Sequence, residues 1–449
     1  MVRNIVFTAL LALALSACGS SGSANGGTGG GAGGPGGATG GGTGGGTGGT
    51  GGGSGGGTGG GAGGGGGTAS VPTWYHDVQP IVHEHCETCH RPGDIAPFPL
   101  TNYQEAFAQN FGMASAVQSR VMPPWLPTDT CQQYKDSRAL SQADIDTIAA
   151  WSAGGAPEGD PADAQPQADG GAGELPWVDM TVQPDTAYTP FATSADDYHC
   201  FPLGSAFAAD EDVIGFQILP GERREVHHVI LFEAPSTDVA AKGSGWTCYG
   251  DSGINGANLV GGWAPGTPPT TYPSGTGVHI AAGHQLVMQV HYNLSNVGGI
   301  GVADQTAAKL QFSTTPIPSS GQARILPVVN SSFQIPPADA NGNPGTLTSD
   351  GTQSNPAPFP LRLWGVFPHM HQLGTHIKVS LDGSNTCFAD IPKWDFHWQQ
   401  MYLFQQPVTI PSNASIRVSC SWSNPTSRTV TWGESTTDEM CLSYLYLTF

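Results

Sequence analysis

The sequence predicts a multidomain chain in which a small all-α unit is followed by two all-β sandwiches. Three observations predict it. Helical periodicity is confined to residues 71–163 and lies at the two ends of that segment. From 176 to 449 no long helical period occurs. Short apolar segments recur there instead, at 213–219, 226–233, 285–292, 361–366, 377–381, 415–421 and 441–449, between turns rich in Pro and Gly. The 449 residues suit two or three domains, and the β part is long enough for two sandwiches, 176–318 and 319–449, with a boundary near 314–321.

Composition bounds the function. The formal charge is −20, from 35 acidic and 15 basic residues. Such a polyanion lacks the clustered Lys and Arg that phosphate binding needs, so a nucleic-acid partner is excluded. Residues 1–18 join a basic start, a short apolar run and small residues, which reads as an export signal too short to span a bilayer. Leu15-Ser16-Ala17-Cys18 resembles a bacterial lipobox, which implies that Cys18 becomes a lipid anchor. Residues 19–70 are Gly, Ser, Thr and Ala with almost no bulky side chain, a flexible leash of roughly 40 Å reach. The expected location is extracytoplasmic, tethered to a bacterial membrane, the outer one by preference; the periplasmic and surface faces stay open.

Residues 71–163 centre on Cys86-Glu87-Thr88-Cys89-His90. Two thiols at this spacing can add to the two vinyl groups of a haem, and the next His then lies under the iron. A redox Cys-x-x-Cys is the competing reading; the following His and the export signal favour haem. Residues 78–85 read as an amphipathic helix leading in. Residues 140–153 read as a closing helix, with Ser141 as N-cap, Asp144 three residues on, and Ile145, Ile148 and Trp151 at helical spacing. Met122, before two prolines, is the candidate for the far side of the iron, with Met113 as the alternative. His83 and His85 read as solvated helix residues. The stretch resembles class I cytochrome c domains, including small bacterial ones that carry C-x-x-C-H-R-P-G and M-P-P-W. The resemblance implies one covalent c-type haem on Cys86, Cys89 and His90.

After a linker at 164–175, four features converge. His227-His228 opens a strand, and adjacent residues of a regular strand face opposite ways, so this pair needs a bend to chelate. His291 lies near a strand end. His369 and His371 are two apart and share a face. Met440 precedes the terminal strand, which holds Tyr444. Imidazole suits both copper oxidation states, and a thioether favours Cu(I).

This set, in this order, resembles the copper type II ascorbate-dependent monooxygenases, with peptidylglycine α-hydroxylating monooxygenase and dopamine β-hydroxylase among them. The resemblance spans most of 177–449 and implies jelly-roll-like sandwiches with two copper ions. His227, His228 and His291 would hold an electron-storing copper. His369, His371 and Met440 would hold the oxygen-activating one, with Tyr444 close by. It also implies disulfides Cys200–Cys248 and Cys420–Cys441. Cys131 and Cys387 stay open between free thiols and a bridge across domains. His279, His284, His376 and His397 read as surface or packing residues, and Trp394, Phe396 and Trp398 as core. One position departs from the pattern. The peptide-hydroxylating members carry an Arg two residues before His-x-His, where this chain has Phe367, so a carboxylate clamp is missing there.

The resulting expectation is a copper monooxygenase that hydroxylates a C–H bond of a small organic substrate with dioxygen. Electrons would come from ascorbate, a redox partner protein or the fused haem. The alternative is a non-catalytic surface protein that passes electrons between haem and copper.

Overall fold

A computed structural model describes residues 70–449 apart from 88, 93–95, 166–173 and 192–195. The export signal, Cys18 and the leash up to residue 69 lie outside the described residues. Val71–Phe449 form one compact unit. Among the described residues no helix is long and apolar enough to cross a membrane.

The α part follows the sequence at both ends. A π-type turn, Trp74–Val78, runs into the helix Gln79–His85. The closing helix is Gln142–Ala153, and Ser141 caps it as expected: its Oγ accepts from Asp144 N at 3.1 Å, and Asp144 Oδ2 accepts from Ser141 N at 3.2 Å. Trp74 and Trp151 meet at 6.0 Å between ring centroids, in a core with Val78, Val82, Ile145 and Ile148.

A third helix, Tyr103–Gln118, was not expected. Its buried face is built of Ala106, Asn110, Met113, Ala114 and Val117, while Phe107 and Phe111 are 46% and 78% exposed. Small residues inside and large apolar ones outside blur the helical period, which is why the sequence hides it.

Residues 125–138 leave the helices and dock on the C-terminal sandwich. Thr128 N donates to Asp390 O, Lys135 N to Leu403 O, and Gln405 N to Gln133 O. Tyr134 bridges to Phe404, is 4% exposed, and donates its OH to Phe388 O at 3.0 Å. Cys131–Cys387 is a disulfide, which closes the question left by the sequence. The expected haem unit is therefore stitched to the β part by a strap of its own chain.

The β part is mostly antiparallel. Each apolar segment named above lies on an observed strand, among them Val226–Pro235, His284–Asn293, Leu361–His369 and Leu442–Thr448. Ser415–Asn424 alternates buried and half-buried positions along its length, the two-residue period of a sheet with one face inward. A five-stranded sheet belongs to the N-terminal half and a four-stranded one to the C-terminal half. The nine-stranded sheet crosses between them: Gly277–Ile280 pairs in parallel with Gln322–Val329, joining Gln322 to Gly277 and Ala323 to Val278. There are two apolar cores: one around Leu231, Met288 and Tyr292, which also takes Ile325, Leu403 and Tyr446 from the C-terminal half, and one around Phe388, Val418 and Trp422.

Candidate metal centres and the cavity beside them

The pair His227-His228 sits at a bulge. The register of Val226–Pro235 against His284–Asn293 shifts between Val226 and His228, which supplies the bend the pair requires. His228 then stands directly opposite His291. The Nδ1 atoms of His227 and His228 are 3.2 Å apart, and those of His291 and His228 are 3.3 Å apart. Metal–imidazole bonds of about 2 Å set ligand nitrogens roughly 3.3–3.5 Å apart, so the three rings converge on a point that suits one ion.

Protonation agrees with this. The Nε2–H of His291 donates to Asp196 Oδ1 at 3.0 Å, which leaves Nδ1 as a lone pair. Burial lowers the pKa of all three histidines, so they are neutral near pH 7. Tyr198 stacks on His291 at 4.1 Å, and the Cys200–Cys248 disulfide ties Tyr198's strand to the residue after the short strand Trp246–Thr247.

His369 ends the strand Leu361–His369 opposite Leu442. Met370 turns into the core with no exposed surface, so His369 and His371 share the other side. The Nδ1–H of His369 donates to Gln399 Oε1 at 2.5 Å, and that of His371 to Asp438 O at 3.2 Å. Both rings therefore keep Nε2 for a ligand. Burial pushes His369 down to about 3 and His371 to about 4.

Met440 lines the same cavity as both rings. Glu439 holds the assembly together: Oε2 accepts from the N–H of His371, of Met440 and from Trp422 Nε1, at 3.0, 3.2 and 3.1 Å, and Oε1 from Leu373 N at 2.5 Å. The Cys420–Cys441 disulfide fixes the residue after Met440. The donor set, two neutral imidazoles and a thioether, suits copper in its reduced state.

The two histidine groups are neighbours. Phe396 stacks on His227 at 4.8 Å and meets His371 edge-on at 6.0 Å, so one ring stands between them. A cavity of about 280 Å³ is lined by His228, His369, His371, Met440, Phe367 and Tyr444, among others. Phe367 and Tyr444 are cross-strand partners with ring centroids 6.4 Å apart.

The Cys-x-x-Cys-His turn follows the helix Gln79–His85. Cys89 N and His90 N both donate to Cys86 O, at 3.1 and 2.9 Å. His90 donates Nδ1–H to Phe98 O at 3.0 Å, which leaves Nε2 for an axial bond, and burial lowers its pKa. Burial pushes the Cys86 thiol up to about 12. Met122 is half-buried on the turn after the helix Tyr103–Gln118, whereas Met113 is packed in the helical core.

Among the described residues, two buried donors of the segment after Met122, Trp125 Nε1 and Arg138 Nε, have no acceptor. Arg138 places its Nη1 on Gly266 O at 2.5 Å and its Nη2 on Pro124 O at 3.3 Å. Unfilled donors beside the motif suit the carboxylates of a haem.

The other histidines named from the sequence pair with carboxylates. His279 meets Asp212, His284 meets Glu233, His376 meets Asp390 and His397 meets Asp395. His83 meets Glu87, and His85 lies 3.8 Å from Glu84. The sequence reading passed over Asp196, Gln399 and Glu439, which orient ligands through one hydrogen bond each or more. None of the three is marked by its sequence neighbours: Glu439 follows Ser435-Thr436-Thr437-Asp438, a polar run.

Fold and donor chemistry together define a two-domain β protein built to hold copper between its sandwiches. Residues 185–297 match the N-terminal domain and residues 321–447 the C-terminal domain of the copper type II ascorbate-dependent monooxygenases, together more than half of the chain. The chain belongs to that family.

Similar proteins include DBH-like monooxygenase protein 1 of Gallus gallus, 27% identical over 49% of this chain and 38% of that protein. Peptidyl-glycine alpha-amidating monooxygenase of Mus musculus is 23% identical over 56% of this chain and 25% of that protein. Tyramine beta-hydroxylase of Caenorhabditis briggsae is 23% identical over 61% and 46%. The chain thus spans less than half the length of these relatives. Among solved structures, allantoicase superposes at a TM-score of 0.16 with 9% identity, over 53% of this chain and 81% of that one, which bears on nothing here.

Proposed function

We propose that this protein is a copper-dependent monooxygenase that hydroxylates a C–H bond of a small organic substrate with dioxygen. One observation carries the reading: two sets of neutral, metal-ready side chains, His227/His228/His291 and His369/His371/Met440, stand either side of Phe396, and members of both open on one cavity. Copper, when bound, supplies the one-electron redox chemistry and the dioxygen activation. The chain's own residues do the rest. Asp196, Gln399 and the Asp438 carbonyl fix which nitrogen of His291, His369 and His371 would face the metal. Phe367, Leu442 and Met401 give the cavity apolar walls that exclude water. Tyr444, half-buried on the same wall, is set to touch the substrate.

The proposed electron source is an ascorbate-like reductant or a c-type haem on Cys86, Cys89 and His90, with Met122 as the second axial ligand. Contacts support a route from this haem. Gly266 has φ +80, and a methyl added to it would lie 2.8 Å from Trp398 Cζ3 and 3.7 Å from Cys89 Sγ. The residue after Trp398 is Gln399, the partner of His369. Gly266, Trp398 and Gln399 thus lie between the Cys-x-x-Cys-His motif and a candidate copper ligand. We also assign the chain to the extracytoplasmic side of a bacterial membrane, anchored through Cys18. Three disulfides are in keeping with an oxidising compartment.

The test is the metal content, visible spectrum and substrate-dependent oxygen uptake of protein matured in a periplasm. Two coppers and one covalent haem per chain are expected. His369→Ala or Met440→Ala should remove one copper and abolish oxygen uptake, leaving the other copper and the haem in place. Stoichiometric metals without oxygen uptake on any substrate would favour a pure electron carrier; absence of copper would end the monooxygenase reading.

A further inference from the structure

One short loop of the C-terminal half, at 395–400, reaches both candidate copper sets and the Cys-x-x-Cys-His motif. Phe396 is buried, 8% exposed, and its ring lies 4.8 Å from that of His227 and 6.0 Å from that of His371. Gln399 is buried as well and accepts from His369 Nδ1 at 2.5 Å. Trp398, between them in sequence, is half-buried against Gly266, in the space that Cys89 Sγ also borders.

Other side chains hold this seam. Arg138 donates Nη1–H to Gly266 O at 2.5 Å and Nη2–H to Gln400 Oε1 at 2.9 Å. Thr267 Oγ1 donates to Gln399 O at 3.4 Å. A side chain at 266 would collide with the Trp398 indole, and φ +80 there suits Gly. The motif, the loop at 264–267 of the N-terminal half and the loop at 395–400 therefore meet at one place.

Electron tunnelling falls steeply with distance and passes more readily through bonds and hydrogen bonds than across gaps. Two routes lead inward from this seam. The first runs from Trp398 over one peptide bond to Gln399, then over one hydrogen bond to His369. The second follows the backbone from Gly266 back to Trp263, crosses the strand pairing of Trp263 with Val229, and turns back to His228. The second is the longer, and it ends at the other copper set. Phe396 then links the two sets through its ring.

We propose that electrons from the haem enter at the His369/His371/Met440 set through Trp398 and Gln399, and reach the His227/His228/His291 set only from there, across Phe396. The inference rests on the reading of one haem and two coppers given above. Each entry moves a single electron: haem iron goes from ferrous to ferric, copper from cupric to cuprous, and no bond or proton changes. Trp398 and Phe396 are positioning residues, since neither ligates a metal.

The test uses the full chain, matured with haem and cupric copper, without oxygen or substrate. A photogenerated flavin semiquinone reduces the haem. Haem reoxidation is followed by visible absorbance, and the cupric signals by electron paramagnetic resonance after rapid freezing. In the parent, haem reoxidation should be matched by loss of an equal amount of cupric signal. His227→Ala, with copper left at His369/His371/Met440, should keep this phase. His369→Ala should lose it although the copper at His227/His228/His291 remains.

Trp398→Leu should slow the phase by an order of magnitude or more while the haem spectrum, the copper content and the midpoint potentials stay unchanged, and Trp398→Phe should restore most of the rate. Phe396→Leu should leave haem reoxidation alone and delay the loss of the second cupric signal. A phase that survives His369→Ala and vanishes in His227→Ala would overturn the proposal. So would a rate indifferent to Trp398→Leu, or a parent whose haem is not reoxidised with both coppers in place. Haem and copper content of the parent, measured first, judges the underlying reading separately.

Discussion

Glu439 has no exposed surface and takes four hydrogen bonds, from three backbone N–H groups and the Trp422 indole. Burial pushes its carboxyl up to about 7, against the pull of those donors. It binds the turn after His369 to the residue before the terminal strand, so it positions His371 and Met440 without touching substrate. Each donor left unpaired in the interior costs about 1–3 kcal/mol. Glu439→Ala should therefore lose on the order of 4 kcal/mol, read by urea denaturation. It should also lose the copper at His369/His371/Met440 in preference to the one at His227/His228/His291, read as copper per chain. Equal loss from both sites would mean that the carboxylate only supports the fold.

At the scale of elements, the strap at 125–138 decides how the helical unit meets the sandwich. It carries Trp125 and Tyr134, whose ring centroids lie 5.3 and 5.8 Å from that of Tyr402, and it is pinned by Cys131–Cys387. The disulfide spans a sequence separation of 256, long enough that the chain-entropy treatment assigns it about 5 kcal/mol against the unfolded chain. The Tyr134 hydrogen bond and the backbone pairs remain when it is cut. Cys131→Ser should lower the melting temperature of the whole chain and expose the strap to limited proteolysis between 126 and 138. The absorbance and copper content of the folded protein should be retained. A chain protected equally with and without the bridge would show that packing alone holds the strap.

For the whole molecule, the two proposed copper sets would draw ligands from both halves of the β part. The halves also share the nine-stranded sheet, and Asp196 of one accepts from Thr436 Oγ1 of the other at 2.8 Å. Ligands that bind only the folded state stabilise it by mass action, about 2.7 kcal/mol at a hundredfold excess over Kd. Stripping copper with a chelator should therefore lower the melting temperature in a single cooperative step. Readdition should restore it, and a covalent haem should stay attached throughout. Two separate transitions in the stripped protein would mean that the halves fold independently and that the shared sheet contributes little.

Much of this was legible in the sequence because it is local. Short apolar segments between Pro and Gly turns marked the strands, Ser141 and Asp144 marked a helix start, and the spacing in Cys86-Glu87-Thr88-Cys89-His90 and in His369-Met370-His371 is set by one turn or one strand. The family resemblance grouped His227, His228 and His291 in one expected set and Met440 with His369 and His371 in the other. Tertiary structure decided what depends on chain segments far apart. The bulge that lets His227 and His228 point together is a matter of register against His284–Asn293. The partnership of Cys131 with Cys387 depends on where the strap lands. The helix Tyr103–Gln118 is held by an Ala-rich face that only packing makes apolar enough. The orienting groups Asp196, Gln399 and Glu439 are ordinary polar residues in sequence. Their roles arise from burial and from the few ångströms that separate them from a histidine, distances that residue spacing does not encode.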